Sequence, residues 1–179
     1  MSNDISITFN SHGKANVRLV KVARKPNQHC LKELTLELLL EGDFETSYTK
    51  ADNSSVIPTD TCKNILYVKA FDEDIEDIET FGVHVSEFVL NKYKHVTAVN
   101  VSIVEHLWER MMIKGKPHPH SFQRASPALR TTKVRASNSG PTQITSGIVR
   151  KKQKSQKKIL IISNIKKITT YLTRMNFWF

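Results

Sequence analysis

The sequence predicts an α+β fold in which one antiparallel four-stranded sheet carries two helices on one of its faces. Three observations predict it: two neighbouring stretches of alternating apolar residues near the N-terminus, an apolar stripe at helical spacing in the middle, and a return to alternation after residue 95. In order, "NVRLVKVARK" (Asn16 to Lys25) is a β-rich run ending in "KPNQ", where Pro26 fixes φ and Asn27 tolerates turn geometry. "CLKELTLELLLEG" follows, with Leu34, Leu36, Leu38 and Leu40 alternating against Thr35, Glu37 and Glu41, so the pair reads as a long antiparallel hairpin.

"SYTKADNSSVIPTDT" is a polar loop leading into "CKNILYVKAF". Strand propensity at Ile65 to Val68 competes there with a helical reading. Thr59 or Asp60 after Pro58 makes an N-cap, and Cys62, Ile65, Leu66 and Lys69 follow at helical spacing, which predicts a helix. A second helix is predicted from about Asp74 to Tyr93, where Ile75, Ile78, Phe81, Val85, Phe88 and Val89 form one stripe, with acids at its start and Lys92 and Lys94 at its end. "HVTAVNVSIVEHLWERM" then alternates again, with Val99, Val101 and Ile103 on one face. After the turn-rich "IKGKPHPHSF", residues Phe122 to Arg135 form the fourth strand candidate.

A chain of 179 residues is long enough for one domain with a proper core and too short for two. No apolar run approaches the roughly 20 residues a membrane helix needs; the longest, Ile159 to Ile162, is far shorter. Met1 to Ser6 is polar, without the pattern of a secretory signal, and Cys30 and Cys62 have neither metal-site spacing nor disulfide density. An intracellular chain with reduced thiols is expected. The net charge of +10 would suggest a nucleic acid or an acidic membrane as partner, but nine Lys and Arg and no acid fall in residues 149–179. The body, residues 1–148, holds 18 basic against 17 acidic residues.

Candidate chemistry is sparse. Thr59 and Asp60 stand at a helix start, whose unpaired N–H groups serve either a side-chain cap or an anion or polarised carbonyl. Lys14, in "SHGKANVR", is either a solvated strand flank or a proton acceptor beside a hydroxyl. His118 and His120 in "GKPHPH" could hold zinc, but no third ligand has matching spacing, and no metal is expected. The acids from Asp72 to Glu79 read as a solvated helix start. There is no Gly-rich phosphate loop, nucleophile elbow or Cys/His dyad.

The segments "GKANVRLVKVAR", "LLLEGDFETSYTKADNSSVIPTDTCKNILYVKA", "FGVHVSEFVL", "WERM" and "GKPHPHSFQR", in this order and spacing, resemble the N-terminal half of the urate oxidase (uricase) family over roughly Ser11 to Ile148. The resemblance implies one repeat of the tunnelling fold (T-fold), which in the family occurs twice per chain and assembles into a homotetramer. It implies oxidation of urate by O₂ to 5-hydroxyisourate and hydrogen peroxide, with O₂ as co-substrate and no metal or organic cofactor. Carried over, Lys14 and Thr59 are the lysine and threonine of a proton relay, and Thr59 and Asp60 are the positions whose amides receive the purine. Pro58 departs from the small apolar residue usual there.

The resemblance stops after Ile148. The family's stacking phenylalanine, pairing arginine, clamping glutamine and relay histidine have no counterpart in "VRKKQKSQKKILIISNIKKITTYLTRMNFWF". One domain and a tail are therefore expected: the repeat over residues 1–148 and a basic, disordered or irregular, non-homologous tail over 149–179, whose residues of A/T-rich codons suggest translated intron. As read, the chain looks truncated and inactive alone. The competing reading is a non-catalytic short form that associates with full-length uricase subunits. No specific nucleic acid and no membrane insertion are expected. The family implies the peroxisome, but the sequence ends in Phe177, Trp178 and Phe179 instead of the family's Ser-Lys-Leu type of tripeptide, which points to the cytoplasm.

Overall fold

The computed structural model describes residues 7–150 and 159–161. Its elements run β1 (His12–Lys25), β2 (Gln28–Gly42), α1 (Glu45–Thr49), α2 (Thr59–Asp72), α3 (Ile78–Lys92), β3 (Val96–Ile113), β4 (Lys116–Ser137), β5 (Gly140–Arg150) and β6 (Ile159–Ile161). The strands form one antiparallel sheet in chain order, β1 to β6, so β1 is an edge. The α+β class and the two long helices on one face agree with the sequence reading; the strand number does not, being six instead of four among the described residues.

The alternation in β2 and β3 explains the core. Leu34, Leu36, Leu38 and Leu40 lie opposite Glu105, Ile103, Val101 and Val99, and all but Glu105 join one apolar cluster with Val17 and Leu19 of β1 and Val134 of β4. Helices α2 and α3 supply the other wall through Cys62, Ile65, Leu66 and Ala70, and through Ile78, Phe81, Val85 and Val89. Full burial of each large side chain contributes about 1.5–3 kcal/mol, so this layer dominates stability. Burial also pushes the Cys62 thiol above its ordinary pKa.

Helix α3 starts three to four residues later than expected. Asp77 is its N-cap, its carboxylate accepting from the Thr80 amide at 2.7 Å and the Thr80 hydroxyl at 2.9 Å. The segment around Gly115 is less of a loop than expected. Lys114 and Gly115, with φ of 49° and 76°, form a two-residue hairpin turn between Ile113 and Lys116, and the prolines and histidines beyond lie within β4.

β5 escaped sequence reading because Gln143, Thr145 and Gly147 leave its apolar pattern weak, and only Ile144 packs on the core. The expected boundary at residue 148 falls inside this strand: Val149 pairs with Leu129 and Arg150 with Ala128, while Ile159–Ile161 pair with Gly147 to Val149. Those residues are strand, not irregular. The remaining tail residues lie outside the described ones.

Candidate functional site

Lys14 owes its direction to a bulge. It lies opposite Leu38, and Val17 lies opposite Leu36, so β1 spends one more residue than β2 between these pairs. Asn16 absorbs the excess at φ 58°, a left-handed conformation that asparagine tolerates better than most residues. Residues directly opposite each other share a face. His12 and Lys14, facing Leu40 and Leu38, therefore point to the helix side, as do Val17 and Leu19 beyond the bulge. Gly13 between them allows β1 to approach β2 closely, since a Cβ there would collide with the Leu38 carbonyl.

Helix α2 lies along β1 and runs in the same direction. His12 Nε2 bonds the Ile57 carbonyl at 2.6 Å, the Tyr67 hydroxyl donates to the Arg18 carbonyl at 3.0 Å, and Lys21 Nζ donates to the carbonyls of Ala70 at 2.9 Å and Glu73 at 2.5 Å. The lengths match. Ile57 to Glu73 spans about 28 Å, two extended steps and then helix, against about 26 Å of strand from His12 to Lys21 once the extra residue of the bulge is discounted. Lys14 therefore stands beside the first turn of α2.

That first turn is open. Pro58 occupies the N-cap position with extended backbone and offers no side-chain hydrogen bond; Cys62 N is the first amide to bond back, to the Pro58 carbonyl at 3.1 Å. The expected cap at Thr59 or Asp60 is not what the structure has: both are helical residues with exposed side chains, and the helix begins at Thr59 itself. The Asp60 carboxylate is paired with Lys63 at 2.9 Å. The Lys63 hydrogen bond, then its charge, holds the Asp60 carboxyl below its ordinary range, and the positive charge of Lys14 acts in the same sense. Half-buried Lys14, Thr59 and the amides of the first turn thus lie at one corner of the molecule, near enough for Lys14 to act on Asp60.

His118 and His120 lie at the opposite end of the sheet, near the β3–β4 turn. Their rings are 6.0 Å apart, and His120 also meets His29 of β2 at 4.2 Å. Burial, followed by the charges of His120, Arg24 and Arg110, pushes the His29 pKa down. Among the described residues, no group of three or more His, Cys, Asp or Glu is arranged to hold a metal ion. Three participants escaped the sequence reading: Lys63, the His12 link and the bulge. The signal for the bulge was present in "GKAN", a glycine and an asparagine three apart where a plain strand has use for neither.

An open antiparallel sheet with its helices on one face, and a lysine turned by a bulge toward an uncapped helix start, make this an α+β protein with its candidate site at an edge strand. The uricase family matches residues 10–135. The chain is 46% identical over 125 residues to uricase of Aspergillus flavus, covering 69% of this chain and 41% of that protein. It is 39% identical over 146 residues to uricase of Cyberlindnera jadinii, covering 80% and 48%. The crystal structure of uricase from Arthrobacter globiformis superposes with a TM-score of 0.77 at 25% identity, covering 97% of this chain and 68% of that one. The chain belongs to the uricase family, and it spans about half the length of the curated relatives it matches.

Proposed function

We propose that this chain supplies the lysine–threonine side of a urate-oxidising site. Urate gives up two electrons to O₂; hydrogen peroxide leaves, and water adds to the oxidised purine to give 5-hydroxyisourate. Protons must first be removed from urate to make it electron-rich. The Lys14 amine accepts one through the Thr59 hydroxyl, and the open amides of Thr59 and Asp60 hold the resulting negative charge. Donors fixed in advance at such a position are each worth about 2.7–4 kcal/mol in a transition state. No resident metal or organic cofactor takes part in this reading. The observation that carries it is the bulge, which turns Lys14 toward the one end of α2 that no side chain caps.

In this reading the groups that stack on and clamp the purine come from another uricase subunit, in a homo-oligomer or a mixed assembly. Complementation tests it. A full-length uricase inactivated at its own relay lysine is co-expressed with this chain, the mixed assembly is purified, and loss of urate absorbance is followed. Turnover restored by the wild-type chain but not by Lys14→Met is expected. A co-purifying complex without turnover overturns the catalytic reading and leaves the non-catalytic associating form. One observation favours that second reading: the 14-residue edge strand β1 runs beside the exposed Tyr67, Val68 and Phe71 of α2. Through assembly with uricase subunits the chain would share the peroxisomal location that the family resemblance implies.

A further inference from the structure

We infer that His12 is a positioning residue for the Lys14–Thr59 pair; the inference rests on the urate-site reading for its function but not for its geometry. The bond from His12 to the Ile57 carbonyl joins segments 45 residues apart, two residues before Lys14 on one side and two before Thr59 on the other. Since a carbonyl only accepts, the Nε2 of His12 must carry the hydrogen. The imidazole is held in this orientation by the Phe44 ring, met edge-on at 6.2 Å and 68°, and Phe44 is 1% exposed, so the ring it presents is fixed by the core.

Nothing in α2 performs the same service. Pro58 has no N–H and offers no cap. The other ties between β1 and α2, through Arg18 and Lys21, lie at least two turns further along the helix. His12 is thus the attachment nearest the site, and it acts on backbone: it fixes where the chain enters the helix, and so how far the Thr59 hydroxyl and the first amides stand from Lys14. A relay through a hydroxyl tolerates little error in that distance, as a misplacement of about 1 Å can cost a hundredfold in rate. Because His12 and Lys14 lie on the same short stretch ahead of the bulge, whatever moves one moves the other.

The test uses the full chain in solution. In the wild type, the ¹⁵N imidazole spectrum must show His12 protonated at Nε2; a ring protonated only at Nδ1 overturns the proposal without any variant. His12→Leu keeps the apolar contact with Phe44 and loses the donor, and His12→Gln restores an amide donor at similar reach. His12→Leu is expected to shift the amide resonances of Thr59, Asp60 and Thr61 and the titration of the Lys14 ε-carbon, leaving the Trp108 indole unchanged, and His12→Gln is expected to return them. Unchanged Thr59–Thr61 and Lys14 signals in His12→Leu, or a Gln variant no better than Leu, overturn it. In the mixed assembly, His12→Leu should lower urate turnover about tenfold or more, with His12→Gln recovering most of it. If the wild type shows no turnover there, the urate reading fails, while the resonance shifts still decide the role of His12.

Discussion

The two long helices rest on the same sheet and are built in opposite ways. Helix α3 closes its own start with Asp77, buries Ile78, Phe81, Val85 and Val89, and comes so near the sheet that a Cβ at Gly82 would stand 2.7 Å from Val134 Cγ2. Helix α2 has no cap, leaves Tyr67, Val68 and Phe71 outside (Phe71 is 87% exposed), and is held to the edge strand by hydrogen bonds to backbone carbonyls. One helix spends its polar groups on its own completion, and the other leaves them available. Completing a helix and serving a site are competing uses of the same four amides.

The comparison breaks most visibly in the core. Phe81→Ala should cost about 3–5 kcal/mol in urea unfolding, because a 2%-exposed ring between α3 and the sheet leaves a cavity; Phe71→Ala on the outside of α2 should change stability by less than about 0.5 kcal/mol. Next comes the cap. Asp77→Ala should cost about 1 kcal/mol and fray α3 by amide exchange, since the Thr80 amide loses its acceptor.

The converse change, Pro58→Ser, gives α2 the cap it lacks. It should alter stability by no more than about 1 kcal/mol, the new hydrogen bond being offset by the freer backbone of the unfolded chain. It should also slow urate turnover in the mixed assembly, because the serine oxygen competes for the same amides. Turnover unchanged by a cap seen to form would separate the amides from the site.

The smallest expected effect concerns acid. Burial tends to raise the Glu33 carboxyl, but hydrogen bonds from Trp108 and Arg18, with the charges of Arg124 and Arg18, outweigh it and hold it below its ordinary value of 4.5. Glu41, bonded by Arg135 and Asn100, and Glu73, bonded by Lys69 and His84, are lowered as well. A carboxyl lowered by folding contributes stability that is present above its unfolded value and lost as pH falls through its folded one. The thermal midpoint should therefore decline below about pH 4.5, and Glu33→Gln should flatten part of that decline. Arg18 pairs with Glu33 and also lends its carbonyl to Tyr67, so β1 and α2 should lose amide protection before α3 does.

The fold was legible where burial imposes a period. Four leucines alternating in β2 and the stripe of α3 each answer to a single apolar surface, and no tertiary knowledge is needed to read them. β5 was illegible because, of its apolar residues, only Ile144 packs on the core. The site was harder. Taken alone, Lys14 is a strand flank and Thr59 a cap; only the family resemblance joined them, because their meeting depends on the register of β1 against β2, of which "GKAN" marks the bulge but not the partner. His12 was hidden for a related reason: its partner is a carbonyl, which every residue has.

The bulge leaves a trace that can be sought in other sequences. Lys14 and Val17 are three positions apart, an odd interval, and an unbroken strand would send them to opposite sides of the sheet. They share a side only because a residue able to turn left-handed stands between them. A relative with the same interval but a β-branched residue in place of Asn16 should have lost the arrangement, whereas one with an even interval needs no such residue. Counting from the lysine to the first valine after it therefore tells, before any coordinates are known, whether a relative must keep that asparagine.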